Sequence, residues 1–164
     1  IEDIIRLSQL DEGIAPTMED VDLLALAQEV KTILEPCAAE KDVRIEVSGQ
    51  GFPLTGVRRM LQEVIYNLCD NAIKYNRPGG SVTITISEDE NSGILLVEDT
   101  GIGIAPEHQE RIFERFYRVD KSHSKASGGT GLGLSIVKHA VAYHNAKISL
   151  ESAPGKGTTI TIQF

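Results

Sequence analysis

At 164 residues, 41% hydrophobic and 24% charged, the chain is long enough for one globular domain with a real core and short for two. Its net charge of −8 sits at the front: residues 1–40 carry ten acidic and two basic side chains, and residues 41–164 carry fourteen of each. A neutral body without a basic footprint excludes a general nucleic-acid surface, and no run reaches the roughly 18 apolar residues of a membrane span.

The first segment, IEDIIRLSQL, is apolar at Ile1, Ile4, Ile5, Leu7 and Leu10 and breaks at Asp11-Glu12-Gly13. Ten residues are too few for an independent helix in water. With isoleucine as its first residue, the chain reads as an excised piece, residues 1–13 being the last turns of a longer helix and 14–19 a linker containing Pro16. A domain is expected over 20–164. From an N-cap at Asp20 or Asp22, Leu23, Leu26, Ala27, Val30, Leu34 and Cys37 predict a helix, with Pro36 near its end. VRIEVS (43–48) alternates as a strand, and GVRRMLQEVIYNLCDNAIKY (56–75) predicts the most regular helix, stopped by Pro78-Gly79-Gly80.

SVTITIS (81–87) and GILLVED (93–99) predict a hairpin across EDENSG. PEHQERIFERFY (106–117) predicts a short helix, VDKSHSKASGGTG (119–131) a mobile loop, and LGLSIVKHAVAYH (132–144) a further helix. AKISLESA and TTITIQF form a last hairpin around Pro154-Gly155-Lys156-Gly157. This order implies a two-layer α/β sandwich with a mixed sheet. Cys37 and Cys69 fall at apolar helix positions and read as buried reduced thiols, which fits a reducing compartment.

The helix over 56–75 carries two stripes. Val57, Met60, Leu61, Val64, Ile65, Leu68, Cys69, Ala72 and Ile73 form a wide apolar face for the core. Glu63, Asn67, Asn71 and Lys74 line up beside it, because a four-residue step drifts only about 40° around an α-helix. Amide and carboxylate oxygens suit a hard cation such as Mg2+, and the lysine suits a phosphate. Taken alone, the stripe reads equally well as a solvated face. Asparagine is a poor helix former, however, and two of them one turn apart favour a site.

Three glycine clusters follow. VEDTGIGI (97–104) ends a strand with Asp99 and then supplies Gly101 and Gly103. A carboxylate there can accept a hydrogen bond from the exocyclic amine of adenine, where guanine offers only an acceptor; a plain Asp-Thr-Gly turn is the alternative. GGTGLGLS (128–135) places glycines before and within a helix start, where backbone N–H groups meet an anion. Its spacing fits neither the P-loop nor the dinucleotide fingerprint, and a flexible hinge is the alternative. PGKGTTI (154–160) reads as a hairpin turn, with any ligand role resting on Thr158.

Together these segments resemble the catalytic ATP-binding domain of sensor histidine kinases, in the superfamily shared with gyrase-type topoisomerases, Hsp90 chaperones and MutL repair proteins. NLCDNAIKY resembles the N box, EDTGIGI the G1 box, RIFERFYRVD the F box and GGTGLGLS the G2 box, spanning residues about 20–164. The resemblance implies an α+β fold: a mixed, mostly antiparallel sheet of about five strands covered on one face by three helices. It implies ATP and Mg2+ as ligands, with Asn67 and Asn71 facing metal and phosphates and Asn71 the direct ligand. Lys74 and Tyr75 would contact phosphate and sugar, and Asp99 the adenine, with Gly101, Gly103 and Ile104 around the base.

Tyr117 and Arg118 of the F box would also face nucleotide, Arg118 stabilising the γ-phosphate with Arg115 as second choice. Gly129, Thr130, Gly131, Leu132, Gly133 and Leu134 would wrap the phosphates, and residues 105–130 would form a lid. Asn67 stands where hydrolysing relatives carry a glutamate, which favours phosphoryl transfer over hydrolysis; Glu63, one turn earlier, is the remaining candidate base.

Two departures from the family pattern stand out. His144-Asn145-Ala146 replaces the usual Gly-Gly after the G2 helix, and Asn145 is expected to take the left-handed cap conformation. No phosphoacceptor is present, because His108, His123, His139 and His144 precede Gln, Ser, Ala and Asn rather than an acidic residue. His123 lies in the expected loop and the other three read as helix-surface residues. The implied parent is a membrane-bound, homodimeric sensor kinase whose cytoplasmic part includes this segment. It would transfer the γ-phosphoryl of ATP to a histidine on its own dimerisation domain and then to a response regulator. This segment alone is expected to be monomeric and not to autophosphorylate. A nucleotide-dependent interaction module without catalysis is the alternative, and a dinucleotide-binding oxidoreductase is disfavoured by the glycine spacing.

Overall fold

The computed structural model describes residues 16–119 and 131–164. The expected stub over 1–13 and most of the expected loop over 119–131 lie outside the described residues. The elements in chain order are β1 (Glu19–Asp22), α1 (Leu23–Glu40), β2 (Arg44–Gly49), β3 (Pro53–Gly56), α2 (Arg58–Lys74), β4 (Ser81–Asp89) and β5 (Ser92–Asp99). After them come α3 (Pro106–Gln109), α4 (Gly133–Tyr143), β6 (Lys147–Ser152) and β7 (Thr158–Gln163).

Five strands form one mixed sheet in the order β2-β4-β5-β7-β6, parallel only between β2 and β4. The alternation of the sequence decides its two faces. Ile45, Val82, Ile84, Ile86, Leu95, Val97, Ile160 and Ile162 point to one side and are buried. Glu46, Thr83, Glu98, Thr159 and Glu151 lie in register across the other side. α1, α2 and α4 cover the buried side, with α2 packed between the other two. This is the two-layer α+β arrangement the sequence implied.

Local chemistry sets the element ends. The Asp22 carboxylate accepts the N–H groups of Leu24 (2.9 Å) and Ala25 (3.4 Å), capping α1. The β4–β5 hairpin turns at Glu90 and Asn91, both at positive φ (45° and 71°), the geometry of the two-residue turns that match strand twist. α4 ends as expected on Asn145, at φ 53°, with the N–H groups of Asn145 and Ala146 closing onto Ala142 and Val141.

The structure corrects the sequence reading in two places. Glu19, expected to end the linker, and residues 20–22, expected to open the first helix, instead form a strand: β1 pairs antiparallel with β3 in a separate two-stranded sheet, from Glu19 opposite Gly56 to Asp22 opposite Pro53. The helix expected over 106–117 runs only over Pro106–Gln109, and turns follow. Phe116 takes φ 64°, and its N–H donates to Gly131 O at 3.0 Å, so a tertiary bond overrides the helical spacing of Ile112, Phe113 and Phe116.

Candidate nucleotide site

α2 delivers its polar stripe to one end of the sheet because its apolar stripe is fixed on the core. Asn67 is 6% exposed, and its amide nitrogen donates to Glu63 O at 2.8 Å, one turn back. Asn71 and Lys74 are half-buried further along the helix. The Lys74 ammonium pairs with Asp70 at 2.8 Å, and its pKa is raised: burial works against the charge, and the Asp70 hydrogen bond and charge outweigh it. Glu63 is half-buried and pairs with Arg59 at 3.4 Å.

Both glycine clusters come to this helix. Gly133, the first residue of α4, lies against Asn67: a β-carbon on it would sit 3.1 Å from Asn67 Oδ1. About two turns further on, at the C-terminus of α2, Ile102 N–H donates to Tyr75 O at 3.1 Å, fastening the loop after β5 to the helix terminus. Asn76 and Thr100 strengthen that junction. The Thr100 hydroxyl donates to Asn76 Oδ1 at 3.2 Å and accepts Ser81 N–H at 2.9 Å, and the Asn76 amide donates to Ser81 O at 3.0 Å.

Asp99 closes β5 opposite Thr158 of β7. Its half-buried carboxylate accepts Gly101 N–H at 2.9 Å and the backbone N–H of Thr158. Burial raises its pKa above the ordinary value, and the two backbone hydrogen bonds oppose that shift in part. Gly103 takes φ 73°, and a β-carbon there would fall 1.9 Å from Ala153 O, so the loop after Asp99 lies hard against the β6–β7 turn. The third glycine cluster, read as a plain hairpin turn, is thus one wall of the Asp99 loop.

The F-box segment meets the same end. Arg118 is half-buried, and its Cγ lies 3.4 Å from where a β-carbon on Gly131 would sit. Arg115 is exposed. The Tyr117 hydroxyl bonds to His108 Nδ1, and the Arg111 guanidinium stands 4.4 Å over the Tyr117 ring. Leu132 is fully buried and packs with Ile136, so its side chain faces the interior, while Leu134 is half-buried. Gly129 and Thr130 lie outside the described residues.

Of the candidate residues, Asn67, Asn71, Lys74 and Tyr75 follow one another along the C-terminal half of α2; Gly133 meets Asn67, Arg118 lies beside Gly131, and the loop from Asp99 to Ile104, with Thr158 opposite Asp99, is fastened to Tyr75 O. An open groove lined by Thr85, Ser87, Glu90 and Asn91 lies at the far end of the β4–β5 hairpin from Asp99 and shares none of these residues. Among the described residues no group of three or more His, Cys, Asp or Glu side chains could hold a metal alone. The donors at hand are amide oxygens, which fit Mg2+ held by one or two protein ligands with phosphates supplying others.

Two histidines read as surface residues are engaged. His144 Nδ1 lies 2.7 Å from Ala140 O and so donates, leaving Nε2 to accept Val57 N–H at 3.0 Å and cap α2. His108 holds Tyr117. Ser152 and Gln109, which bond to the loop after Asp99, were also missed, since no motif marks either.

Residues 56–164 match the family described as histidine kinase-, DNA gyrase B-, and HSP90-like ATPase. The sensor histidine kinase RppB of Synechocystis sp. is 41% identical, covering 100% of this chain and 37% of its own length. The sensor-like histidine kinase SenX3 of Mycolicibacterium smegmatis is 40% identical over 100% of this chain and 43% of itself. For the phosphate regulon sensor protein PhoR of Pseudomonas aeruginosa the figures are 37%, 100% and 38%. The chain thus spans less than half the length of these relatives. The solved mycobacterial sensor histidine kinase MprB matches with a TM-score of 0.76 at 30% identity, over 90% of this chain and 97% of that one. Full-length ShkA, solved in complex with AMPPNP, matches with a TM-score of 0.86 at 27% identity, over 99% of this chain and 34% of that one. Sequence match and fold agree: this chain belongs to the histidine kinase-, DNA gyrase B-, and HSP90-like ATPase family.

Proposed function

We propose that this chain is the ATP-binding catalytic domain of a two-component sensor histidine kinase. It binds Mg-ATP and presents the γ-phosphoryl to a histidine on a dimerisation domain of the same protein, for relay to a response regulator. The observation that carries this is the convergence on α2: Asn67 meets Gly133 at one point and Tyr75 holds the Asp99 loop at another. One helix thereby spaces a base-reading carboxylate from a phosphate-facing glycine turn.

The residues divide the work along the nucleotide. Asp99 accepts from the exocyclic amine of adenine, with Gly101, Gly103 and Ile104 beside the base and Thr158 fixing the carboxylate through its N–H. Asn71 would hold Mg2+ through its amide oxygen, with the buried Asn67 in support. Bound Mg2+ supplies neutralisation of phosphate charge. Lys74 exchanges Asp70 for phosphate, Tyr75 meets the sugar side, and the backbone from Gly131 to Leu134 faces the phosphates. Arg118 stabilises charge on the transferring γ-phosphoryl, a reaction governed by positioning and electrostatics. An amide at position 67 is a poor base for activating water, which supports transfer over hydrolysis.

The parent is proposed to be a homodimeric, membrane-bound sensor with this domain on its cytoplasmic side; the relatives' names as sensor kinases support the sensor part of that reading. Titration with ADP and NADH, with and without Mg2+, tests the reading. ADP should bind and NADH should not; Asn71→Ala should weaken only the Mg2+-dependent part of ATP binding, and Asp99→Asn should weaken binding with or without metal. Unchanged binding in both variants would sink the assignment.

A further inference from the structure

The loop that follows Asp99 has no regular secondary structure, yet both backbone groups of Ile104 are satisfied by side chains from elsewhere in the fold. Ile104 N–H donates to Ser152 Oγ at 2.8 Å. Ile104 O accepts from Gln109 Nε2 at 2.9 Å, and the same amide nitrogen reaches Ser152 O at 3.0 Å. The Ser152 hydroxyl lies 2.9 Å from Gly157 O, to which it donates, and 2.8 Å from Thr158 Oγ1. One residue back along the loop from Gly103, Ile102 O accepts Gly155 N–H at 2.8 Å. An uninterrupted set of hydrogen bonds thus runs from Gln109 on α3, through Ile104 and Ser152, to Thr158, whose backbone N–H holds the Asp99 carboxylate.

The chemistry of the Gln109 position is narrow. Two carbonyl oxygens converge on one nitrogen, so the side chain there must carry two N–H protons in a plane and a reach of four bonds. A carboxylate of the same shape would set oxygen against two oxygens. An apolar side chain of the same length would leave Ile104 O and Ser152 O short of a donor. Neither residue lies in the N, G1, F or G2 segments.

We propose that Gln109 and Ser152 are positioning residues for the base-binding loop. They fix the Ile102–Ile104 backbone against the β6–β7 turn and hold Asp99 at the height adenine requires, without touching nucleotide themselves. The inference rests on the nucleotide reading of the site.

ADP titration of the full chain, with and without Mg2+, tests it in Gln109→Glu, Ser152→Ala and Ser152→Thr. The first two should weaken ADP binding about tenfold, the scale of one lost partly buried hydrogen bond. The factor should be the same with and without Mg2+, because the defect lies at the base end, and the Ile104 amide should exchange faster with solvent. Ser152→Thr keeps the hydroxyl and should bind as the parent does. Where the glutamate variant fails to fold, Gln109→Met should give the same tenfold loss. A merely structural role would lower the melting temperature and leave the affinity of the folded fraction unchanged; that result overturns the proposal, as does a loss seen only with Mg2+. Wild-type protein that fails to bind ADP would instead remove the nucleotide reading itself.

Discussion

Asn67 and Gly133 meet where two sequence motifs 66 residues apart become one surface: the amide oxygen of Asn67 lies 3.1 Å from the point a β-carbon on Gly133 would occupy. The glycine is there to let the first turn of α4 approach α2. Replacing a helical glycine by alanine ordinarily stabilises by about 0.5–1 kcal/mol. Here that gain should be cancelled, because Asn67 is 6% exposed and held by its bond to Glu63 O. Gly133→Ala is expected to melt at or below the wild-type temperature and to bind Mg-ADP more weakly. Thermal denaturation and ADP titration on the same sample check both.

Asp99 gives a pH dependence whose sign follows from its burial. Its native pKa is raised, so between the ordinary carboxylate value and the native value the folded protein binds more protons than the unfolded chain. The stability contribution of Asp99 therefore falls as pH rises across that window and stays reduced above it. Asp99→Asn removes the term and keeps an oxygen for Gly101 N–H. The variant also loses one carboxylate oxygen from the pair that Gly101 and Thr158 share, so the diagnostic is the pH trend: acidification should move the stability difference in favour of the wild type. Its ATP affinity should fall at least tenfold, since an amide N–H would face the adenine amine. Calorimetry from pH 4 to pH 8 reads the first effect and nucleotide titration the second.

The cysteines should separate cleanly in reactivity. Cys69 is fully buried, and burial, helped by the charge of Asp70, pushes its thiol up to about 12. Cys37 is only partly buried. Iodoacetamide at pH 8 should modify Cys37 in the native protein and reach Cys69 only on unfolding, because the thiolate is the reactive form. Peptide mass spectrometry of labelled samples would contradict this if Cys69 were alkylated at the denatured rate.

How much of this was legible in the sequence depended on whether the physics was local. The α2 stripes, the hairpins and the Asp22 cap follow from periodicity and side-chain chemistry, and each formed within a residue or two of its expected place. Asn145 was readable as a left-handed cap because asparagine tolerates positive φ. β1 was not readable, since Glu19-Asp20-Val21-Asp22 offers one apolar residue and exists as a strand only by pairing with β3. The F-box segment looked helical because its aliphatic and aromatic spacing fits a turn of helix, and only the distant Gly131 O reveals why Phe116 leaves it. His144 serves a helix start 87 residues away, and Ser152 and Gln109 serve a loop that neither adjoins along the chain. In the candidate site, the amides, the strand-end carboxylate and the glycines were legible as chemistry; the contacts of Asn67 with Gly133 and of Tyr75 O with the Ile102 amide needed the fold.

The most direct measurement is an isothermal titration of the protein with ATP and with GTP in the presence of Mg2+. On the proposed reading the Asp99 carboxylate accepts a hydrogen bond from the adenine amine and would meet only an acceptor on guanine, so ATP should bind and GTP should bind at least tenfold more weakly. Equal affinities for the two nucleotides, or no binding of ATP, would contradict the account.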